Sequence, residues 1–148
     1  MNSALKSDCN SLYPQVKALM DAGVEITAMR DATRGGVAAV LNEWARQSNV
    51  CVEVDEEKLP ISDEVKGICE MLGFEATALA NEGTFVMAIH KDYAAKALEI
   101  LGGFEVCAMP SVVGEVTQKY PKKVILKSPW GTSRFLETPN GELLPRIC

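Results

Sequence analysis

Three short segments of this chain carry residue types able to do chemistry, and they lie far apart in sequence. The last is Pro145-Arg146-Ile147-Cys148, which ends the polypeptide on a thiol. Free cysteine is among the most buried residue types, yet a terminal one has little to pack against, so Cys148 reads either as a thiol placed to be reached or as an accidental cysteine on a frayed end. The first segment, Asp31-Ala32-Thr33-Arg34-Gly35-Gly36, follows a strand pattern and leads into a helix pattern. A helix N-terminus offers unpaired N–H groups and partial positive charge to an anion. Gly35 and Gly36 remove side chains where a ligand would approach, Arg34 adds a bidentate donor, and Asp31 or Thr33 can cap the helix. The same pattern also describes a plain capped helix after a glycine turn with a solvated arginine. The middle segment, Asn81-Glu82-Gly83, precedes an apolar run; Glu82 reads as a general base tuned by partial burial, or as an ordinary loop carboxylate.

Other chemistries find little support. The five cysteines (Cys9, Cys51, Cys69, Cys107 and Cys148) form no CxxC pair, so no metal site is expected. Their odd number and wide spacing suit reduced thiols in a cytoplasm, with Cys51, Cys69 and Cys107 as small core residues. His90 is the sole histidine and sits beside Lys91-Asp92 at an expected strand end, an exposed position that gives a His-based triad no footing. A net charge of −5 and a pI near 4.9 argue against nonspecific nucleic-acid binding, and no apolar run approaches a membrane span. The Lys119-to-Lys123 segment reads as a solvated basic turn, and Trp130 as a cover on the core edge.

The elements that must position these residues follow from periodicity. With 148 residues, 47% hydrophobic and 24% charged, the chain suits one domain with a real core. A first helix is expected from a Ser11 cap, with Leu12, Val16, Leu19 and Met20 on one face and Gly23 just past its end. Strand patterns follow at 24–29 and 51–55, on either side of a helix carrying Val37, Val40, Leu41 and Trp44 at i, i+3, i+4, i+7 spacing. A third helix is capped by Ser62, presents Val65, Ile68, Cys69 and Leu72, and stops at Gly73. A short helical piece at 75–80 runs into a buried strand at 84–89, then a helix capped by Asp92, then strands at 104–108, 112–117 and 123–127. The expected fold is α/β (α+β): a layered mixed sheet with packed helices over residues 1–137, followed by a flexible tail at 138–148 that begins with a Pro139-Asn140-Gly141 turn signal.

Four motifs in order point further: Asp31 to Ala38 after a strand, Ala80 to Gly83 before one, Val112-Val113-Gly114-Glu115-Val116, and the terminal Pro-Arg-Ile-Cys. Together they resemble the HypE family of hydrogenase expression/formation proteins, within the aminoimidazole ribonucleotide synthetase-like group. The resemblance covers about Ser7 to Cys148 but corresponds only to the C-terminal half of a HypE. It implies a role in making the cyanide ligands of nickel–iron hydrogenases. Cys148 would accept a carbamoyl group from a HypF-like carbamoyltransferase, ATP-dependent dehydration would convert it to a thiocyanate, and the cyano group would pass to iron on a HypC–HypD scaffold. It further implies Glu82 as catalytic base, and Asp31, Thr33, Arg34, Gly35 and Gly36 as contacts to nucleotide phosphates. ATP and Mg²⁺ would serve the full-length protein, expected to be homodimeric and cytoplasmic, with neither held tightly by this portion alone. The alternatives are the C-terminal half of another ATP-dependent synthetase of the group, which has no need of a terminal thiol, or a non-enzymatic docking module for maturation partners.

Overall fold

The computed structural model of the chain describes residues 9–107 and 109–138. Within them lie helices α1 (Tyr13–Asp21), α2 (Gly36–Ser48), α3 (Asp63–Leu72) and α4 (Ala94–Gly102). The strands are β1 (Ile26–Ala32), β2 (Cys51–Asp55), β3 (Asn81–Ile89), β4 (Gly114–Thr117), β5 (Lys123–Lys127) and β6 (Ser133–Phe135). The α/β layering is as expected, but the strands divide into two sheets. β1 and β3 form an antiparallel pair, while the second sheet has the order β4-β2-β5-β6, parallel only between β2 and β5.

Each sheet has its own core. Alternation along β2 and β5 turns Val52, Val54, Val124 and Leu126 to one face, where Ala38, Leu41 and Ala45 of α2 pack with Leu59 and Leu136. Leu19 of α1 and Ala97 and Leu101 of α4 close the second core with Val24, against Ile26, Phe85, Met87 and Ile89 of the β1–β3 pair. Burying a leucine as completely as Leu19 contributes about 1.5–3 kcal/mol. Helix α2 also contacts β1 and β3, so the segment that begins at Gly36 joins both layers.

Local signals explain the element ends that match expectation. Ser62 Oγ accepts from the Val65 N–H at 3.4 Å to cap α3, and Gly73 ends it at a φ of 71°. β2 and β5 span their expected residues.

Elsewhere tertiary pairing wins. β1 continues through Arg30 and Asp31 to Ala32, and β3 begins at Asn81 rather than Thr84, because cross-strand pairing of Ala32 with Asn81 carries polar residues into the ladder. Residues 104–107 form bends and a turn rather than a strand, and β6 lies where no strand was expected. Three expected caps are absent. Leu12 rather than Ser11 precedes α1, no side chain caps α2 or α4, and the His90 ring instead accepts from the Asp92 N–H before α4. Met20, Ile68 and Leu72 point outward despite their helical phase, and Trp130 covers no core edge, being 89% exposed. The opening residues 1–8, Ala108 and the expected tail beyond Thr138, Cys148 included, lie outside the described residues.

Candidate active site at the start of α2

The turn between β1 and α2 is built by glycine geometry rather than by a side-chain cap. Gly35 and Gly36 adopt φ of 66° and 62°, values that cost other L-residues steric strain. Gly36 has a second constraint: a Cβ there would lie 2.4 Å from the Thr77 carbonyl oxygen and 2.5 Å from that of Leu79. The glycine therefore admits the chain's own 3₁₀ turn at Ala76–Ala78, a requirement from within the fold that the sequence pattern alone did not indicate.

Neither Asp31 nor Thr33 caps α2. The Thr33 hydroxyl donates to Asp31 Oδ1 at 3.1 Å, which orders that carboxylate instead. The first turn of α2 therefore carries no acid and its N-cap residue makes no side-chain hydrogen bond to it, so the positive end of the helix dipole has no capping group from the helix itself. Arg34 is exposed beside it and, among the described residues, makes no ion pair.

An open cleft of about 250 Å³ adjoins this turn, lined by Arg30, Asp31, Thr33, Arg34, Ala39, Val40 and Glu43. The fold thus gathers three of the sequence-derived residues, Asp31, Thr33 and Arg34, and adds Arg30 and Glu43, whose side chains form an ion pair across the cleft. Sequence reading passed over both. The available signal was the Arg30-Asp31 doublet at a strand end together with Glu43 four residues after Ala39 on one helical face.

Glu82 does not line this cleft. It is exposed on β3, and its neighbour Asn81 accepts the Gly83 N–H on Oδ1 at 3.0 Å. Because Asn81 pairs with Ala32 and Phe85 with Asp31, residues 82–84 bulge out at the same end of the β1–β3 ladder as the turn. The ladder therefore fixes Glu82 relative to the start of α2 without placing it in the cleft. His90 is exposed, as expected.

A second charged cluster lies on the face of the four-stranded sheet opposite α2. Glu53 of β2 has a side chain only 2% exposed, yet Lys127 Nζ stands 2.6 Å and Lys119 Nζ 2.9 Å from its carboxylate, and the Thr117 hydroxyl donates to it at 3.1 Å. The Lys127 ammonium, followed by that of Lys119, holds the carboxyl down to about 2, and Glu53 in turn raises the pKa of Lys127. Lys119 is therefore tied down rather than simply solvated, and Lys123 lies over the Phe135 ring at 5.6 Å. Of the cysteines, Cys51 and Cys69 are buried and Cys107 is partly so; burial pushes the Cys107 thiol up. Among the described residues no group of three or more His, Cys, Asp or Glu could hold a metal ion, and no helix is long and apolar enough to cross a membrane.

Residues 7–127 match the family described as AIR synthase related protein, C-terminal domain. The chain belongs to that family. The likeness to HypE read from four motifs extends along the molecule. The chain is 40% identical over 149 residues to the carbamoyl dehydratase HypE of Escherichia coli K12, covering 100% of this chain and 43% of that protein. It is also similar to a HypE–HypF complex structure, with 40% identity, a TM-score of 0.87 and coverage of 94% of this chain and 45% of the other. A hydrogenase maturation protein HypE solved with ATP gives 31% identity, a TM-score of 0.91 and coverage of 99% and 45%. This member of the AIR synthase related family thus spans less than half the length of these relatives.

Proposed function

We propose that this chain is the C-terminal domain of an ATP-dependent carbamoyl dehydratase in [NiFe]-hydrogenase maturation, and that its Cys148 carries the carbamoyl group. The observation that carries this reading is the alignment with a carbamoyl dehydratase HypE, which covers 100% of this chain. The relative solved with ATP and the one solved with HypF support a nucleotide and a HypF-like carbamoyltransferase as the full-length protein's ligand and partner. Mg²⁺, a HypC–HypD scaffold, a homodimer and a cytoplasmic location complete the proposal.

Dehydration of a thiocarboxamide to a thiocyanate removes one oxygen and both protons from the amide nitrogen. ATP, when bound, would supply the phosphoryl group that makes the oxygen a leaving group. The residues at the start of α2 fit an anion: its first turn is uncapped and free of acids, and Arg34 stands beside it without an ion partner among the described residues. In this reading Arg34 and the first N–H groups of α2 hold phosphate oxygens. Asp31, oriented by Thr33, faces the same cleft. Gly35 and Gly36 shape the turn, Gly36 by admitting the 3₁₀ turn behind it. Glu82, set on the bulge beside that turn, accepts a proton from the amide nitrogen.

The test uses the full-length protein carrying this chain, with Cys148 already carbamoylated, and follows ATP-dependent loss of one water by intact mass. Glu82→Gln should slow the loss about 100-fold or more while leaving loading of the thiol unchanged. A Glu82→Gln protein that dehydrates at the wild-type rate would remove Glu82 from the mechanism.

A further inference from the structure

Trp130 and the basic segment at 119–123 have no part in the site at α2. The fold brings them to the two ends of one strand edge, that of β6. Trp130 stands almost fully exposed in the turn between β5 and β6. The turn is fastened from within: the Ser128 N–H donates to the Thr132 carbonyl at 2.8 Å, the Gly131 N–H donates to the Ser128 carbonyl at 3.2 Å, and the Ser128 and Thr132 hydroxyls lie 2.6 Å apart. An indole held out in this way loses little freedom on binding, and tryptophan is a residue type enriched at binding hot spots.

At the other end of β6, Phe135 pairs with Ile125, so its ring lies on the sheet face away from α2. The Tyr120 ring meets it edge-on at 6.0 Å, and Lys123 Nζ stands 5.6 Å from its centroid. Both rings are half-exposed. Lys119 and Lys127 are spent on Glu53, but Lys123 makes no ion pair among the described residues. Between these ends runs the β6 backbone. The Leu136 N–H donates to the Val124 carbonyl, and in an antiparallel ladder alternate residues turn their N–H and C=O groups away from the partner strand. Ser133 and Phe135 therefore present theirs on the far side of β6, which among the described residues is an edge of the sheet.

We propose that the β6 edge takes up an extended acidic segment of a partner protein as an added strand. Its backbone pairs with Ser133 and Phe135, an aromatic residue packs on Trp130, and a carboxylate meets Lys123. An acid and an aromatic four residues apart share one face and span roughly 13 Å, which suits the stretch from Phe135 back to the turn. Charge complementarity selects this occupant. A second copy would add Ser133-Arg134-Phe135, which brings no acid to Lys123 and, paired about Arg134, sets two arginines opposite each other. A nucleic-acid strand needs a run of free cations, whereas Glu53 neutralises its two lysines and Glu115, paired with Glu53, shares their face.

The experiment titrates the isotope-labelled 148-residue chain with synthetic pentapeptides and follows its NMR signals. The probes are acetyl-Glu-Thr-Val-Thr-Phe-amide and acetyl-Phe-Thr-Val-Thr-Glu-amide, which cover both strand directions, and their counterparts with Lys in place of Glu. One acidic peptide should move the Ser133 and Phe135 amide signals and the Trp130 indole signal further than the Arg134 amide, which faces β5. Its lysine counterpart should bind about 3- to 10-fold more weakly. Trp130→Ala should weaken the acidic peptide about 10-fold or more. Ser133→Pro removes an N–H that the β5 ladder does not use and should weaken it about 2- to 10-fold. Lys123→Glu should reverse the order of the acidic and lysine peptides, which a purely structural role for Lys123 would not do, and this reversal decides the matter should Ser133→Pro fail to fold. Ser133 and Phe135 signals left unmoved by both acidic peptides at millimolar concentration would overturn the proposal. So would movement of those signals on concentrating the chain alone, which assigns the edge to a second copy, or a response of Lys123 and Trp130 to oligothymidylate and to neither acidic peptide, which marks a nucleic-acid site.

Discussion

Two charged clusters on this molecule invite comparison. Around Glu53 every charge is answered: a carboxylate 2% exposed takes two ammonium groups and a hydroxyl, all from its own sheet and the adjoining loop. Around the start of α2 the account stays open. Arg30 and Glu43 pair while remaining 46% and 39% exposed, and Arg34 finds no ion partner among the described residues. A helix N-terminus stands uncapped alongside. A saturated, buried cluster can specify structure but has nothing left to offer a ligand, whereas an exposed cluster with a spare cation stabilises little and can bind. Charge by itself therefore does not mark a site; charge left unanswered does.

The largest effect expected from breaking this contrast comes from the backbone beneath the open cluster. Gly36→Ala forces a Cβ to 2.4 Å from the Thr77 carbonyl oxygen at a φ of 62°, and should destabilise the fold by at least about 3 kcal/mol in urea unfolding. Gly23→Ala is the control. Its φ of 73° is as strained, but nothing lies within 4 Å of the new Cβ, so the cost should be only about 1–2 kcal/mol. Equal losses at the two glycines would remove the close approach of the 3₁₀ turn from the explanation.

Next is the closed cluster. Glu53→Gln leaves Lys119 and Lys127 without their carboxylate and should lower Tm by roughly 10 °C. Glu53→Leu, which packs apolar volume and lets the lysines turn to water, should cost less. The pH dependence has a definite sign. The folded carboxyl sits at about 2 against an ordinary 4.5, so its contribution is fully present above about pH 5 and is lost as pH falls toward 2. The gap in Tm between wild type and Glu53→Gln should narrow over that range and stay constant from pH 6 to 8. A gap that instead widens on acidification would mean that Glu53 is not held as an anion.

The smallest structural effect belongs to the open cluster. Arg34→Gln touches no ion pair among the described residues and should change stability by less than about 0.5 kcal/mol. In the full-length protein the same change should cut ATP-dependent dehydration about 100-fold. A marked loss of stability would class Arg34 with the closed cluster instead.

This difference also explains what could be read in the sequence. β2, β5 and the ends of α3 were legible because their causes are local: alternation in Cys51–Asp55 and Lys123–Lys127, a serine cap, a glycine stop. The turn at 31–36 was legible as a place where chemistry could occur, since its glycines and arginine are contiguous. Its construction was not, because the 3₁₀ turn that requires Gly36 lies some forty residues later. The Glu53 cluster was invisible for the same reason: Thr117 and Lys119 are 64 and 66 residues away and arrive only through strand pairing. Arg30 and Glu43 were missed because neither breaks a local pattern; the fold alone brings them to one cleft.

The central claim is that Cys148 is where a carbamoyl group is loaded. The direct measurement is peptide-resolved mass spectrometry of the chain after incubation with a HypF-like carbamoyltransferase, carbamoyl phosphate and ATP, beside a Cys148→Ala chain. The account predicts one added carbamoyl, confined to Cys148 and missing from the variant. Equal labelling of the variant, or labelling at Cys9 in place of Cys148, would contradict it.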